Sequence, residues 1–439
     1  MTNCTTPKIE FSRLKRRKVE AEFSGGEITS DGGALLLREA DRQLGLMSQV
    51  ADTVEDHRRQ DMVQHSMLSI LQQRVYGIAL GYEDLNDHQE LRKDSAIQTA
   101  VDRLGWLASA STLCRMENQT SRATAVEIHK VMVEQFIASF DKPPKKLILD
   151  FDATDDAVHG NQQGRFFHGY YDHYCFLPLY VFCGDKMLVS YLRPSNIDGA
   201  KHSWAILALL TKRLRQQWPD VKIIFRGDSG FCRHHMLSWC ERNGVDYIVG
   251  LAGNSRLIKQ SSDVRILSEG LYKYTGEKQR EFDHFQYGAK SWGRTRRVIA
   301  KAEYSYRGEN IRFIVTSLKG KPQNLYDKIY CIRGDMENRI KEQQMGLLAD
   351  RTSASYWWAN QWRVLLSSLA YILLEHIRST ALKKSELAKA QVWTIRNKLL
   401  KVGGVIIRNT RRIRFLLSSN YPYKELFERV AEQLQPQPG

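Results

Sequence analysis

The sequence predicts a mixed α/β protein with a mainly helical N-terminal part, and three observations predict it. Apolar, β-branched runs at 147–152 and 221–226 read as strands covered on both faces. Stretches of helical periodicity at 200–217 and 232–243 alternate with them. Between residues 31 and 140 the pattern is helical almost throughout. At 439 residues the chain is too long for one small core and implies two or three domains.

Taken in order, residues 1–30 are polar and include the run Arg13-Leu14-Lys15-Arg16-Arg17-Lys18, a solvated arm able to touch phosphates. Helices are expected around Ala34–Leu44, Met62–Gly77 and Ile97–Leu104. Gly105 breaks the pattern, and 109–117 is a further helix, as a plain helical hairpin or as half of a helix-turn-helix. After Pro143-Pro144 come strands at 147–152, 174–183 and 186–192, a helix at 200–217 and a strand at 221–226. A helix at 232–243 and a strand at 246–251 follow. Residues 255–310 are polar and basic with short alternating stretches and turn signals at Tyr287-Gly288 and Trp292-Gly293, and read as a β-rich insertion. A strand at 311–316, a helix bearing Glu337 and an apolar helix at 356–377 complete the core. In the tail, 378–415 carries eleven Lys/Arg against the single Glu386. The expected domains are 1–140, mainly helical; 141–254 with 311–380, an α/β core; 255–310, the insertion; and 381–439, a basic C-terminal region.

A formal charge of +16 and a pI near 9.4 argue for a polyanionic partner, with nucleic acid first. The cysteines (Cys4, Cys114, Cys175, Cys183, Cys232, Cys240 and Cys331) are scattered and contain no C-x-x-C pair, so they indicate neither a zinc site nor a disulfide framework. That usage fits a reducing cytoplasm. The first residues do not read as a signal peptide. The longest apolar stretch, 364–374, falls short of the roughly 20 residues of a membrane span, so no membrane partner is expected.

Three acids carry the chemistry. Asp152 and Asp228 each stand at the end of a strand-like run, and Glu337 lies on a helix. Carboxylates from two strand ends and a helix can converge on a hard divalent cation. Each has a plainer reading. Asp at a strand end is a good turn former, and Tyr330, Arg333, Glu337, Lys341 and Gln344 form one helical stripe that would also suit a surface ladder of ion pairs. Asp150 shares a strand face with Asp152. The histidines His159, His168, His173, His202, His234 and His235 include no H-E-x-x-H pair, and no glycine-rich phosphate loop is present.

In these motifs the chain resembles bacterial insertion-sequence transposases of the DDE class, in the branch with a Tyr-x2-Arg-x3-Glu signature. Tyr330, Arg333 and Glu337 match that signature, Asp152-Ala153-Thr154 matches an Asp-x-Thr pattern, and Asp228-Ser229-Gly230-Phe231 matches Asp-x-Gly-Phe/Tyr. Gly169-Tyr170-Tyr171-Asp172-His173 and Gly81-Tyr82-Glu83-Asp84-Leu85-Asn86-Asp87 are also similar to family segments. One departure is Gln344, where the family has a Lys seven residues after the Glu; Lys341 stands one turn earlier.

The resemblance implies a ribonuclease-H-like core and a cut-and-paste DNA transposase. Asp152, Asp228 and Glu337 would be both catalytic and metal-binding, holding two Mg²⁺ ions for which Mn²⁺ can substitute. Tyr330, Arg333, Lys341 and Arg226 would contact DNA. Trp292 has two readings: a ring folded back onto the insertion's own sheet, or a stacking platform for an unstacked base. The expected partners are double-stranded DNA, both terminal inverted repeats and target, and a second copy of the chain. The expected location is the bacterial cytoplasm, associated with the nucleoid. The alternatives are an endonuclease that cuts without joining and an inactive DNA-binding protein.

Overall fold

The computed structural model of the chain describes residues 8–435; Cys4 and the first-residue expectation lie outside them. The chain divides into two compact units, one comprising residues up to 119, 346–348 and from 369, the other 120–345 and 349–368.

The second unit is built on an eight-stranded sheet. Its strands are β1 (Lys146–Ala153), β2 (Leu179–Cys183), β3 (Lys186–Tyr191), β4 (Lys222–Gly227), β5 (Asp246–Leu251), β6 (Gln279–Tyr287), β7 (Arg296–Ser305) and β8 (Gly308–Thr316). They lie in the order β6-β7-β8-β5-β4-β1-β2-β3. β4 runs parallel to β1 and β5 parallel to β4; all other pairs are antiparallel.

Strand alternation gives this sheet two different faces. On one, Leu147, Leu149 and Phe151 of β1, Ile223 and Phe225 of β4 and Tyr247 and Val249 of β5 join the main core. The helices α1 (Arg122–Ala138), α2 (Ser203–Gln217), α3 (His234–Arg242) and α4 (Ser262–Thr275) cover it with residues such as Phe136, Leu207, Leu237 and Val264. On the other, Ile148, Ile224 and Ile248 meet Leu325, Tyr326 and Tyr330. Those three belong to a helical run from 322 to 346 that contains α5 (Gly334–Lys341), with π-type turns at Tyr326–Tyr330 and Glu342–Gly346. Such turns widen a helix locally and are frequent at functional sites.

Three expectations change. The region 255–310 opens with helices at Ser255–Gln260 and Ser262–Thr275; the Asn254 side chain caps the first by accepting from Leu257 N, and Gly276 ends the second in the left-handed conformation. The strand expected to resume the core at 311 is instead the third member of one meander, β6-β7-β8, that extends the sheet beyond β5. The single strand expected over 174–183 is divided at Leu177-Pro178 into His173–Phe176 and β2, as a proline without a backbone donor requires. The first of these pieces joins a small separate sheet with Asp156–Ala157 and Phe166–His168.

The first unit packs helices Ala34–Leu44, Leu46–Thr53, Met67–Leu80 and Ala110–Asn118 with residues from the far end of the chain. Its small sheet places Glu27–Thr29 beside Gly404–Arg408, which pairs in turn with Ile413–Leu417. A Cβ on Gly33 would lie 2.1 Å from the carbonyl oxygen of Leu399, so the two segments touch backbone to backbone. Gly81, at φ 93°, ends Met67–Leu80, and Arg396 donates to the helix carbonyls of Ala79 and Ile78. Part of the basic tail is thus spent inside this unit: Arg378 pairs with Glu375, Lys401 with Asp31 and Arg408 with Glu27. The long apolar helix α6 (Trp357–Thr380) has residues 357–368 in one unit and 369–380 in the other. Among the described residues no helix is long and apolar enough to cross a membrane.

Candidate active site

The sheet register builds the site. Arg226 of β4 stands opposite Asp150 of β1, and Gly227 opposite Phe151. One residue further on, the same register sets Asp228 beside Asp152 on the next strand, roughly 4.8 Å across the sheet. Gly227 pairs with Val249 of β5, which brings Gly250 level with Asp228. Asp152, Asp228 and Gly250 therefore form a row across three parallel strands on one sheet face.

The row ends at the carboxyl edge of these strands. Asp152 Oδ1 accepts from its neighbour's amide, Ala153 N, at 2.9 Å, and Asp228 Oδ1 accepts from Gly230 N at 2.9 Å. That second bond is the turn-forming role of an Asp at a strand end, and it leaves the other carboxylate oxygen of Asp228 outside the turn.

Arg333 ties the helix to the row. Its guanidinium donates to Asp152 Oδ2 at 3.1 Å and to Glu337 Oε1 at 3.0 Å, the latter four residues along the same helical run. Asp152 is nearly buried, Arg333 partly so, and Glu337 is open to solvent. Burial pushes the Asp152 carboxyl up to about 7; Arg333 opposes this, while the charges of Asp228 and Glu337 add to it. The three acids thus act on one another electrostatically. Among the described residues no group of three or more His, Cys, Asp or Glu is arranged to hold a metal ion as it stands. The guanidinium bridging Asp152 and Glu337 occupies the position between two of the candidate ligands.

Tyr330 closes the row from above. A Cβ on Gly250 would lie 2.7 Å from both Tyr330 Oη and Ser229 N, and 3.1 Å from Asp228 C. Only glycine lets the tyrosine hydroxyl and the Asp228 turn approach β5 so closely. Gly250 was missed in the sequence reading; its signal was a glycine inside the apolar run Tyr247-Ile248-Val249-Gly250-Leu251. Gly250→Ala is expected to cost about 1–3 kcal/mol of stability through overpacking. It should also slow strand cleavage, because the Asp228 turn must shift. Melting and cleavage measured on the same preparation check both effects.

Of the other expected site residues, Lys341 is exposed and makes no ion pair among the described residues, so it is free to meet a phosphate. Gln344, in the family Lys position, donates to the carbonyl oxygen of Asp155 at 2.8 Å. Arg226 is a correction. It is 5% exposed, makes a two-pronged ion pair with Asp150, and donates to the carbonyl oxygen of Ile329. Its place inward on β4, two residues before Asp228, puts it under the site and out of reach of DNA. The same pair engages both carboxylate oxygens of Asp150, the acid that shares a strand face with Asp152. Trp292 is half-buried, with its ring edge-to-face on Tyr287 at 5.6 Å and the Arg296 guanidinium 5.0 Å from its centre. Its ring is folded onto the meander's own sheet.

With this geometry in view, the comparisons with known proteins are specific. A family model described as transposase DDE domain group 1 matches residues 11–438. No curated protein matches the chain. Among solved structures, a piggyBac transposase synaptic complex with hairpin DNA, determined by cryo-EM, is similar at a TM-score of 0.42 and 11% identity. The match covers 85% of this chain and 80% of that one. A likeness at that score carries no argument here.

Proposed function

The chain belongs to the family of transposase DDE domains, and from that premise we propose that it cuts DNA at transposon ends and joins the freed ends to a target, as a cut-and-paste enzyme. Asp152, Asp228 and Glu337 are the catalytic acids of this reading. The observation that carries it is that Arg333 bridges Asp152 and Glu337 at a strand end next to that of Asp228. The five-strand run β3-β2-β1-β4-β5, antiparallel on one side of β1 and parallel on the other, supports a ribonuclease-H-like core. The domain division proposed from the sequence assigns end binding to the N-terminal helices and the chemistry to the sheet.

The donor set fits a hard divalent cation. All three groups are carboxylates, the oxygen ligands that Mg²⁺ prefers, and the mutual repulsion felt at Asp152 is what a cation would relieve. Asp152, Asp228 and Glu337 would hold it, two Mg²⁺ ions or Mn²⁺ in their place. When bound, such ions lower the pKa of an attacking water and stabilise a leaving oxygen. The chain's own residues orient the DNA. Arg333 and Tyr330 flank the acids and offer a guanidinium and a hydroxyl to the phosphates beside the scissile bond, contacts that position without reading sequence. Lys341 adds an exposed cation one turn beyond Glu337. A stacking role for Trp292 requires the ring to leave Tyr287 and Arg296. Two ends must be held together, so the working form is a dimer on double-stranded DNA.

A labelled transposon-end duplex incubated with target DNA tests the reading. Joined products support it; cut products alone indicate an endonuclease; a shift without cutting indicates a binding protein. Cleavage should stop in excess chelator and return with Mg²⁺ or Mn²⁺. Ca²⁺ should support binding with little cutting, because its looser coordination shell places ligands poorly. Undiminished cutting in chelator would remove the metal from the proposal.

A further inference from the structure

The first described residues form a hairpin of Ile9–Leu14 with Arg17–Ala21, and every residue from 8 to 28 is exposed. The register sets Ile9 against Ala21 and Phe11 against Val19, which makes one face of the ribbon apolar. The other face sets Glu10 against Glu20, a like-charge pair that opposes the fold. A two-stranded hairpin is marginal in water on its own, and this one has no core beneath it.

Its tip is strongly charged. Arg13, Lys15, Arg16, Arg17 and Lys18 supply five cations in six residues, with no acid among them. None of the five makes an ion pair among the described residues. Lys15 sits at φ 55°, in the left-handed region where a side chain costs roughly 1–2 kcal/mol and glycine almost nothing. The turn thus keeps a cation where its backbone favours glycine, and such strain is retained at functional positions.

We propose that this hairpin is a DNA-binding ribbon whose five-cation tip enters a groove of double-stranded DNA and whose fold is completed there. The proposal rests on the DNA reading above and adds to it a contact surface apart from the N-terminal helices. The major groove is about 12 Å wide and admits a two-stranded ribbon. The apolar face, with Phe11 and Val19, would lie along base edges and thymine methyls. Charge selects DNA over a second copy of the chain, since two tips of like sign, on chains of +16 each, repel.

The test measures the affinity of the full chain for a fluorescent mixed-sequence DNA duplex across a salt series. Three variants accompany the wild type: the fivefold change of Arg13, Lys15, Arg16, Arg17 and Lys18 to serine, the single Lys15→Gly, and Phe11→Ser. Each neutralised phosphate contributes about 0.9 to the slope of log K against log salt. The fivefold variant should be shallower by about 4.5 and Lys15→Gly by about 0.9; the fivefold variant should melt as the wild type does, because all five side chains are exposed, and Lys15→Gly no lower, because glycine suits the left-handed turn. Equal slopes for the wild type and the fivefold variant, both binding, overturn the ribbon and leave the transposase reading standing. A wild type that does not bind DNA overturns both. If Phe11→Ser splits a DNA-free dimer while the fivefold variant keeps the wild-type slope, the hairpin's occupant is a second copy and the proposal fails.

Discussion

Asp152→Asn is expected to give a protein that binds DNA, does not cut it, and melts at a higher temperature than the wild type at pH 8. The loss of cutting should be about a thousandfold or more, since the change removes a charge from the point where the three acids meet. Binding should hold or tighten, because one negative charge leaves the surface that faces a polyanion. The stability gain follows from the carboxyl's raised pKa. Below about pH 4 it is protonated in the folded and unfolded chains alike, and the substitution changes little. Between 4 and 7 the unfolded carboxyl ionises while the folded one keeps its proton, so the wild type loses stability as pH rises. Above 7 the full cost remains; a rise from 3.8 to about 7, already net of the attraction of Arg333, corresponds to about 4 kcal/mol. Melting curves in chelator at pH 4 and pH 8 measure the difference. A variant that cuts near the wild-type rate, or melts lower at pH 8, would move the catalytic role elsewhere.

Arg226→Met should be the most destabilising single change in this region, by about 3–5 kcal/mol, because it leaves the Asp150 charge buried and unpaired. The Arg226 and Asp150 side chains are 6% and 3% exposed. The double variant Asp150→Leu with Arg226→Met should recover most of the loss, as replacing a buried pair by apolar groups often does. Its cutting should stay impaired, since Arg226 also holds the carbonyl of Ile329, one residue before Tyr330. Urea unfolding of the wild type and the two variants separates these outcomes. The salt dependence of DNA binding should match the wild type's in the folded double variant, as expected of an arginine that never meets a phosphate.

The strands that carry the aspartates were legible because burial on both faces demands largely apolar residues, and 147–152 and 221–226 supply them. Asp152, Asp228 and Glu337 were legible only as a set, since each alone suits a turn or a surface helix. Arg226 was not, because an arginine two residues from an acid has the same local pattern whether it faces DNA or a buried carboxylate. Its partner, Asp150, lies 76 positions away and is set by strand register. Helix 262–275 was hidden because its apolar residues form no single stripe: Ile266, Leu267 and Tyr274 are exposed, and only Val264 and Ser268 are buried. The π-type turns at 326–330 and 342–346 leave no signature in residue type, so the regular stripe from Tyr330 to Gln344 was an idealisation. Gln344 in fact turns to the backbone of Asp155.

The pairing of Glu27–Thr29 with Gly404–Arg408 has a consequence for synthesis. Nearly the whole chain must leave the ribosome before Glu27–Thr29 has a partner. Arg396 and the Leu399 backbone, which complete the helix Met67–Leu80 and the approach at Gly33, also arrive late. Closing so long a loop is slow, and the waiting segments expose apolar surface meanwhile. A premature stop anywhere before residue 404 therefore leaves this unit without its closing strand. Such fragments should stay unfolded in this unit and be open to proteolysis.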